Sequence, residues 1–160
     1  MQALASLRVL VIDDNAQLRH IVGSVLSAAG VRDVVYAANG EAGLQQLQER
    51  GADVVFADLD MPALDGLALT RAIRGMAAPA CFTPIIIMTA HTDARRVGAM
   101  RNAGIDDLVV KPLTATAILK RLDALLARRR VFVRDGDYFG PRRPSAAVGD
   151  AGDASKVMRL

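Results

Sequence analysis

The sequence predicts an α/β domain with a five-stranded parallel sheet and helices on both faces. Five short apolar runs, rich in β-branched residues and without alternation, are typical of strands buried on both faces. They alternate with five segments whose apolar residues recur at helical spacing. Strands that alternate with helices in this way form a parallel sheet through right-handed crossovers.

Each strand and helix has its own local signal. The predicted strands are residues 9–12, 34–37, 54–57, 85–88 and 108–110. Helix starts are indicated by side chains that can cap free N–H groups, and helix ends by glycine or by basic residues. In chain order these signals are Asn15 or Asp14 with Gly30, Asn39-Gly40 with Gly51, Gly66 with Gly75, Thr92 or Asp93 with Gly104, and Thr114 with Arg128-Arg129-Arg130.

Polar residues follow four of the five predicted strands. Asp13 and Asp14 follow the first strand, Asp58 the third, Thr89 the fourth and Lys111 the fifth. Ligands of open parallel sheets bind at the carboxyl edge of the strands, so these side chains are expected to lie together. Three close carboxylates repel one another unless a cation joins them. The oxygen-only set therefore predicts Mg²⁺ or another divalent cation.

Composition sets further limits. A chain of 160 residues accommodates one domain with a C-terminal remainder. No apolar run approaches the roughly 20 residues of a membrane span, and the start is too short for a signal peptide. Cys81 is the only cysteine, so no internal disulfide can form. These features predict a cytoplasmic protein without membrane contact.

The C-terminal remainder carries the excess positive charge. Residues 1–127 hold 12 basic and 13 acidic residues, whereas residues 128–160 hold 8 basic and 4 acidic ones. Three of the six aromatic residues, Phe132, Tyr138 and Phe139, lie close together there. The alternation from 131 to 134, a turn at Asp135-Gly136 and a return through 139 predict a hairpin. Residues 128–143 are thus a basic, aromatic arm, and 144–160 are expected to be a flexible tail.

The polar set resembles the signature of a known family. Asp13-Asp14, Asp58 with the following Met61-Pro62 and Asp65-Gly66, Thr89-Ala90 and Lys111-Pro112 are similar to the receiver domain of bacterial two-component response regulators. The resemblance covers about residues 7–127. It implies a flavodoxin-like, doubly wound sheet of order 2-1-3-4-5. It also implies a cis Lys111-Pro112 bond.

The resemblance assigns a role to each site residue. Asp58 would accept a phosphoryl group from a sensor histidine kinase or a histidine phosphotransfer protein. Asp14 and Asp58 would bind Mg²⁺ directly, with Asp13 acting through metal-bound water. The main-chain carbonyl of Asp60 would complete that set. Thr89 would hydrogen-bond one phosphoryl oxygen and Lys111 would pair with another, which suits a reaction that depends on positioning and charge neutralisation.

Two positions bear on signalling. His91 and Asp60 would flank access to the phosphoryl group and tune the lifetime of the acyl phosphate. Leu108 stands where the family commonly has Tyr or Phe, whose side chain rotates inward when the threonine moves. Leu108 has no aromatic ring, so it cannot transmit the movement of Thr89 in that way. Output would pass through contact with an unidentified protein, and the switch positions are Thr89 and Leu108.

Two rival functions share these residues. One is a pseudo-receiver that acts as a dimerisation or adaptor module through its arm. The other is a small phosphatase, for which Asp58 and Asp60 have the right spacing but for which no cap is predicted. The expected protein is not a turnover enzyme, since it performs only autophosphotransfer and self-dephosphorylation. The arm is expected to lie on its own last helix or to reach a second copy of the chain. The last helix is itself a candidate dimer contact. Nucleic acid is not the predicted partner.

Overall fold

The computed structural model describes residues 4–128 and 130–143, together with the backbone of 157–159. The parallel unit alternates five strands with five helices. In chain order it consists of β1 (Arg8–Ile12), α1 (Ala16–Ala29), β2 (Asp33–Ala37), α2 (Gly40–Arg50), β3 (Val54–Asp58), α3 (Gly66–Arg74), β4 (Ile85–Thr89), α4 (Ala94–Ala103), β5 (Asp107–Val110) and α5 (Ala115–Ala127). Three further strands follow, β6 (Val131–Asp135), β7 (Tyr138–Pro141) and β8 (Val157–Arg159). Short 3-10 helices lie at Leu4–Ser6 and Ala80–Phe82.

The parallel sheet has the strand order β2-β1-β3-β4-β5, which confirms the predicted fold. All four neighbouring pairs are parallel. Apolar side chains on the two faces of the sheet form two separate core clusters, one beneath α2, α3 and α4 and the other beneath α1 and α5. Every residue of β3 and β4 is buried. Burial on both faces explains why these strands read as continuous apolar runs.

The helices begin where side chains cap their first N–H groups. The Asn15 carboxamide accepts from the Leu18 N–H, and the Asp93 carboxylate accepts from the Arg96 N–H. Asn15 and Asp93, and not Asp14 and Thr92, are therefore the caps of α1 and α4. Asn39, Asp65 and Thr114 cap α2, α3 and α5 in the same way.

The arm forms a second, antiparallel sheet of order β7-β6-β8. The predicted hairpin is present, with Asp135 paired to Tyr138 and a turn in which Gly136 has φ of 59°. The returning strand extends through Pro141, because β7 is an edge strand and a proline there interrupts no ladder. The backbone of Val157–Arg159 pairs with β6, in a part of the chain expected to be a flexible tail. Residues 144–156 and 160, which complete that expected tail, lie outside the described residues.

Aromatic packing fixes the arm to its own domain. Phe132 is fully buried and meets Phe82 edge to face, with ring centroids 5.2 Å apart. Phe139 completes the cluster, at 5.9 Å from Phe82 and 5.6 Å from Phe132. Gly140 allows the close approach, because a Cβ there would lie 2.9 Å from the Cα of Gly104 at the end of α4. The arm therefore packs on the segment before β4 and on the end of α4, not on α5.

A buried ionic cluster joins the arm to the parallel sheet. The Asp106 carboxylate accepts from Arg74 at 2.8 Å and from Arg130 at 2.6 Å, and only 3% of the Asp106 side chain is exposed. Both guanidinium groups also contact the Phe132 ring. Burial lowers the pKa of Arg74, while Asp106 opposes that change. Arg130 thus pairs with Asp106 and the carbonyl of Phe82, although its sequence position had suggested that it stabilises the end of α5.

None of the helices in the described ranges is long and apolar enough to cross a membrane.

Candidate functional site

The predicted site residues meet at the carboxyl edge of the parallel sheet. Asp13 and Asp14 directly follow β1, Asp58 ends β3 and Thr89 ends β4. Lys111 follows β5, and its N–H donates to the Thr89 carbonyl at 2.8 Å, so the sheet pairing continues one residue past the strand. The Lys111–Pro112 bond is cis. The strand register alone therefore brings residues distant in sequence to one edge.

Three carboxylates form the acidic part of the site. One oxygen from each of Asp13, Asp14 and Asp58 lies within 4.8 Å of the other two. Asp13 and Asp58 are buried, whereas Asp14 is exposed. The buried Oδ2 of Asp13 has no hydrogen-bond partner among the described residues. A buried acceptor without a donor calls for an explanation, and a hard cation that prefers oxygen ligands supplies one. The donor set fits Mg²⁺.

The Asp13 carboxyl group is electrostatically strained in the protein alone. Burial raises its pKa from 3.8 to about 6, and the nearby charge of Asp58 acts in the same direction. The N–H of Asn15, which donates to Asp13 Oδ1 at 2.9 Å, and the charge of Lys111 oppose the increase. Ionised Asp13 therefore lacks sufficient compensation from the protein's own groups.

Asp58 is paired with Lys111. Lys111 Nζ donates to Asp58 Oδ1 at 2.7 Å, and 5% of the Asp58 side chain is exposed. Within the described residues no hydrogen bond reaches Asp58 Oδ2. The pair thus holds one oxygen of Asp58 in place and leaves the other without a donor among the described residues.

Thr89 is buried at the end of β4, the strand that pairs with β3, which Asp58 ends. Its Oγ1 accepts a hydrogen bond from the His91 N–H at 2.9 Å. A hydroxyl that accepts one bond still has its own proton to donate. Thr89 therefore keeps a proton to donate, and its hydroxyl is linked to the loop that follows β4.

His91 and Asp60 contact each other at the exposed margin of the site. His91 Nε2 lies 3.0 Å from Asp60 Oδ2, and Arg96 contacts His91 Nδ1. Because a guanidinium can only donate, Nδ1 accepts and the proton belongs on Nε2, which then donates to Asp60. Sequence reasoning missed Arg96; its place on the first turn of α4, five residues after His91, was the available signal. The Asp60 carboxylate is not part of the acidic group, and a contribution from its carbonyl stays a prediction.

Leu108 lies on β5 and is half-buried against the core cluster beneath α4. The predicted arm contacts lie elsewhere, because Phe132 and Phe139 pack near the amino ends of β4 and β5, at the edge opposite the acidic site. Tyr138 donates to the Pro141 carbonyl within the arm, and burial raises its pKa.

Comparison with known proteins gives consistent matches. The profile of the response regulator receiver domain matches residues 9–123. A two-component response regulator of Oryza sativa subsp. japonica is 37% identical over 128 residues, which cover 78% of this chain and 95% of that protein. Other curated relatives are longer, and the chain spans 55% and 17% of two of them.

Solved structures agree with these matches. The chemotaxis response regulator CheY4 of Vibrio cholerae superimposes with a TM-score of 0.70 and 31% identity, over 74% of this chain and 98% of that one. The receiver domain of the sensor histidine kinase PA1611 from Pseudomonas aeruginosa PAO1 has the same fold, with a TM-score of 0.69 and 24% identity over 76% of this chain and 98% of that chain. That protein holds a magnesium ion in its active-site cleft.

Proposed function

We propose that this chain, which belongs to the response regulator receiver domain family, accepts a phosphoryl group on Asp58 and signals by contact with another protein. The observation that carries the proposal is the position of Asp58, a buried carboxylate between two further aspartates and the ammonium group of Lys111. The donor would be a phosphohistidine of a sensor kinase or a phosphotransfer protein. Family membership supports that partner class.

The chemistry needs only one new bond on the protein. Asp58 Oδ2 attacks phosphorus as the P–N bond of the phosphohistidine breaks, and the imidazole leaves with the bonding electron pair. The product is an acyl phosphate. A later attack of water on phosphorus releases inorganic phosphate and restores the carboxylate, so the phosphorylated state is a timed signal. No further substrate is turned over, which is why the protein is not proposed to be an enzyme in the ordinary sense.

The neighbouring groups neutralise and position the charge. Mg²⁺, held by Asp13, Asp14 and Asp58, would offset the negative charge of the carboxylates and of the incoming phosphoryl group. Lys111, already within 2.7 Å of Asp58, would pair with one phosphoryl oxygen. The Thr89 hydroxyl would donate to another. The carbonyl of Asp60 is the further oxygen proposed for the metal.

Acetyl phosphate with Mg²⁺ tests the acceptor directly. We expect wild-type protein to gain the mass of one phosphoryl group and Asp58→Asn to gain none, because an amide cannot form the acyl phosphate. Asp123→Asn, which changes an exposed carboxylate on α5, is the matched control and should gain the same mass as wild type. The proposal would be contradicted if Asp58→Asn were phosphorylated at the wild-type rate. It would also be contradicted if neither wild type nor Asp58→Asn were phosphorylated.

The two rival functions predict different results. A pseudo-receiver would not be phosphorylated, although it could still assemble into a homodimer through its arm or last helix. A phosphatase would turn over a small aryl phosphate without a stable protein-bound intermediate. The complete acidic group and the Lys111 pair favour the receiver, because a scaffold has no need of either.

His91 should affect how long the acyl phosphate lasts. We expect His91→Ala to accelerate dephosphorylation by roughly 2- to 10-fold, since removing the ring opens the margin of the site to water. Dephosphorylation is followed as the loss of the phosphoryl mass after the donor is removed. His20→Ala, which changes an exposed histidine on α1, is the control and should leave the rate unchanged. Equal rates for both variants would exclude this role.

A further inference from the structure

The arm creates a groove that the parallel domain alone would not have. One wall comes from α5 and β5, and the other from β6, β7 and the residues that follow them. The groove has a volume of about 460 Å³, within the range of protein binding sites. It lies beside the ionic cluster of Asp106, away from the acidic site at the carboxyl edge.

Positive charge dominates this groove. Six arginines and two aspartates line it within the described residues. Two of the arginines are paired, Arg130 with Asp106 at 2.6 Å and Arg121 with Asp107 at 3.5 Å. The other four have no carboxylate partner in the described part of the chain. These are Arg101 on α4, Arg128 after α5, and Arg142 and Arg143 after β7. Guanidinium groups on separate elements around one groove favour a ligand with several spaced negative charges.

The rest of the lining indicates the kind of anion. Aliphatic side chains, including Leu108, Leu125 and Val131, provide an apolar surface between the arginines. No aromatic residue is among the described lining residues, so a nucleic acid base would find no stacking partner. The main-chain N–H groups of Ile105 and Arg142 are already donated within the protein. Neither of these two N–H groups is therefore free to bind a compact phosphate in the way that helix N-termini do.

We propose that this groove binds an acidic segment of a partner protein, with an aliphatic side chain of that segment on the apolar surface. Its carboxylates would pair with the four arginines that have no carboxylate partner among the described residues. One of these, Arg143, is already held in place, because it donates to the Asn102 side-chain oxygen at 2.6 Å and lies over the Tyr138 ring. Asp106 and Asp107 disfavour a single concentrated anion at the base of the groove, but they do not obstruct carboxylates distributed along its rim. The arm thus has a function beyond packing against the domain, because it supplies three of these arginines and one wall of the groove.

The groove is also connected to the acidic site through one strand. Asp107 and Leu108 on β5 contribute to the groove, and the same strand leads to Lys111. A partner on the groove would contact the strand whose end pairs with Asp58. Binding itself does not require phosphorylation, so it can be tested separately from the proposed acceptor.

The test uses unphosphorylated full-length protein and a fluorescein-labelled peptide with glutamates on both sides of a leucine. Fluorescence anisotropy should detect binding that weakens as salt is raised. Replacing the glutamates by glutamine, or the leucine by serine, should weaken binding at least about tenfold. Arg128→Glu and Arg142→Glu should each weaken it about tenfold, because each reverses one exposed rim charge. Arg32→Glu, at an exposed position beside the opposite edge strand β2, should leave affinity unchanged.

Circular dichroism of the variants confirms that they are folded, and ATP and a single-stranded oligonucleotide serve as competing ligands. Tighter binding of either competitor, with the same loss in Arg128→Glu, would replace the proposal by a phosphate-bearing ligand. Absence of peptide binding at low salt would overturn it. Equal affinity of the glutamine peptide, or of both arginine variants and wild type, would overturn it as well.

Discussion

Phe132→Ala should lower the free energy of unfolding by about 3–5 kcal/mol, among the larger effects of a single core substitution. Phe132 is fully buried between Phe82 and Phe139, and two guanidinium groups contact its ring. Truncation would remove this aromatic contact and leave a cavity beside the buried charges of the Asp106 cluster. Urea unfolding followed by circular dichroism measures the change.

Val133→Ala is the matched control on the same strand. Val133 is only half-buried, so its truncation should cost about 1 kcal/mol or less. Equal losses for the two variants would show that the arm is not seated on the domain in solution. Unfolding should also be independent of protein concentration, because the contacts lie within one chain. A concentration-dependent midpoint would instead indicate an arm exchanged between two copies.

Asp13→Asn should raise stability at neutral pH when no divalent cation is present. The folded protein holds the Asp13 proton up to about pH 6, whereas an exposed carboxyl group loses it near 3.8. Between these values the folded state binds more protons than the unfolded state, so wild-type stability falls as pH rises. At about 1.4 kcal/mol per pKa unit, the penalty at neutral pH is about 3 kcal/mol, and the amide avoids it.

With Mg²⁺ present, wild type should be more stable than Asp13→Asn. A cation that binds only the folded carboxylates stabilises wild type, and Asp13→Asn loses much of that gain. Thermal unfolding at several pH values between 4 and 8, with and without Mg²⁺, measures both effects. Without Mg²⁺, we expect the stability of wild type to fall as pH rises from 4 to 8. The stability of Asp13→Asn should change less over the same range. Parallel profiles, or equal stabilisation of both proteins by Mg²⁺, would exclude Asp13 as the strained group.

The site could be predicted from sequence because each of its residues sits next to the element that positions it. Asp58 ends an apolar run of strand length, and Lys111 follows another. In a parallel sheet the carboxyl ends of all strands share one edge, so adjacency along the chain becomes proximity in space. The contact of Arg96 with His91 could not be obtained in this way, because it depends on how the loop after Thr89 folds before α4.

The arm marks the limit of such reasoning. Its hairpin was predictable, since alternation and the Asp135-Gly136 turn are local properties, whereas its docking was not. Phe82 is separated from Phe132 by fifty positions, and the strand Val157–Arg159 completes a sheet with no local signal of its own.

The local sequence pattern thus determined the five-stranded sheet, its helices and the polar residues at its edge. The periodicity of strands and helices, and the positions where strands end, depend only on residues that are adjacent in sequence. Only the tertiary structure decided where the arm lies, which arginines are neutralised by Asp106 and Asp107, and which four remain around the groove. Those outcomes depend on contacts between distant residues, whose desolvation and charge pairing exist only once the chain is folded.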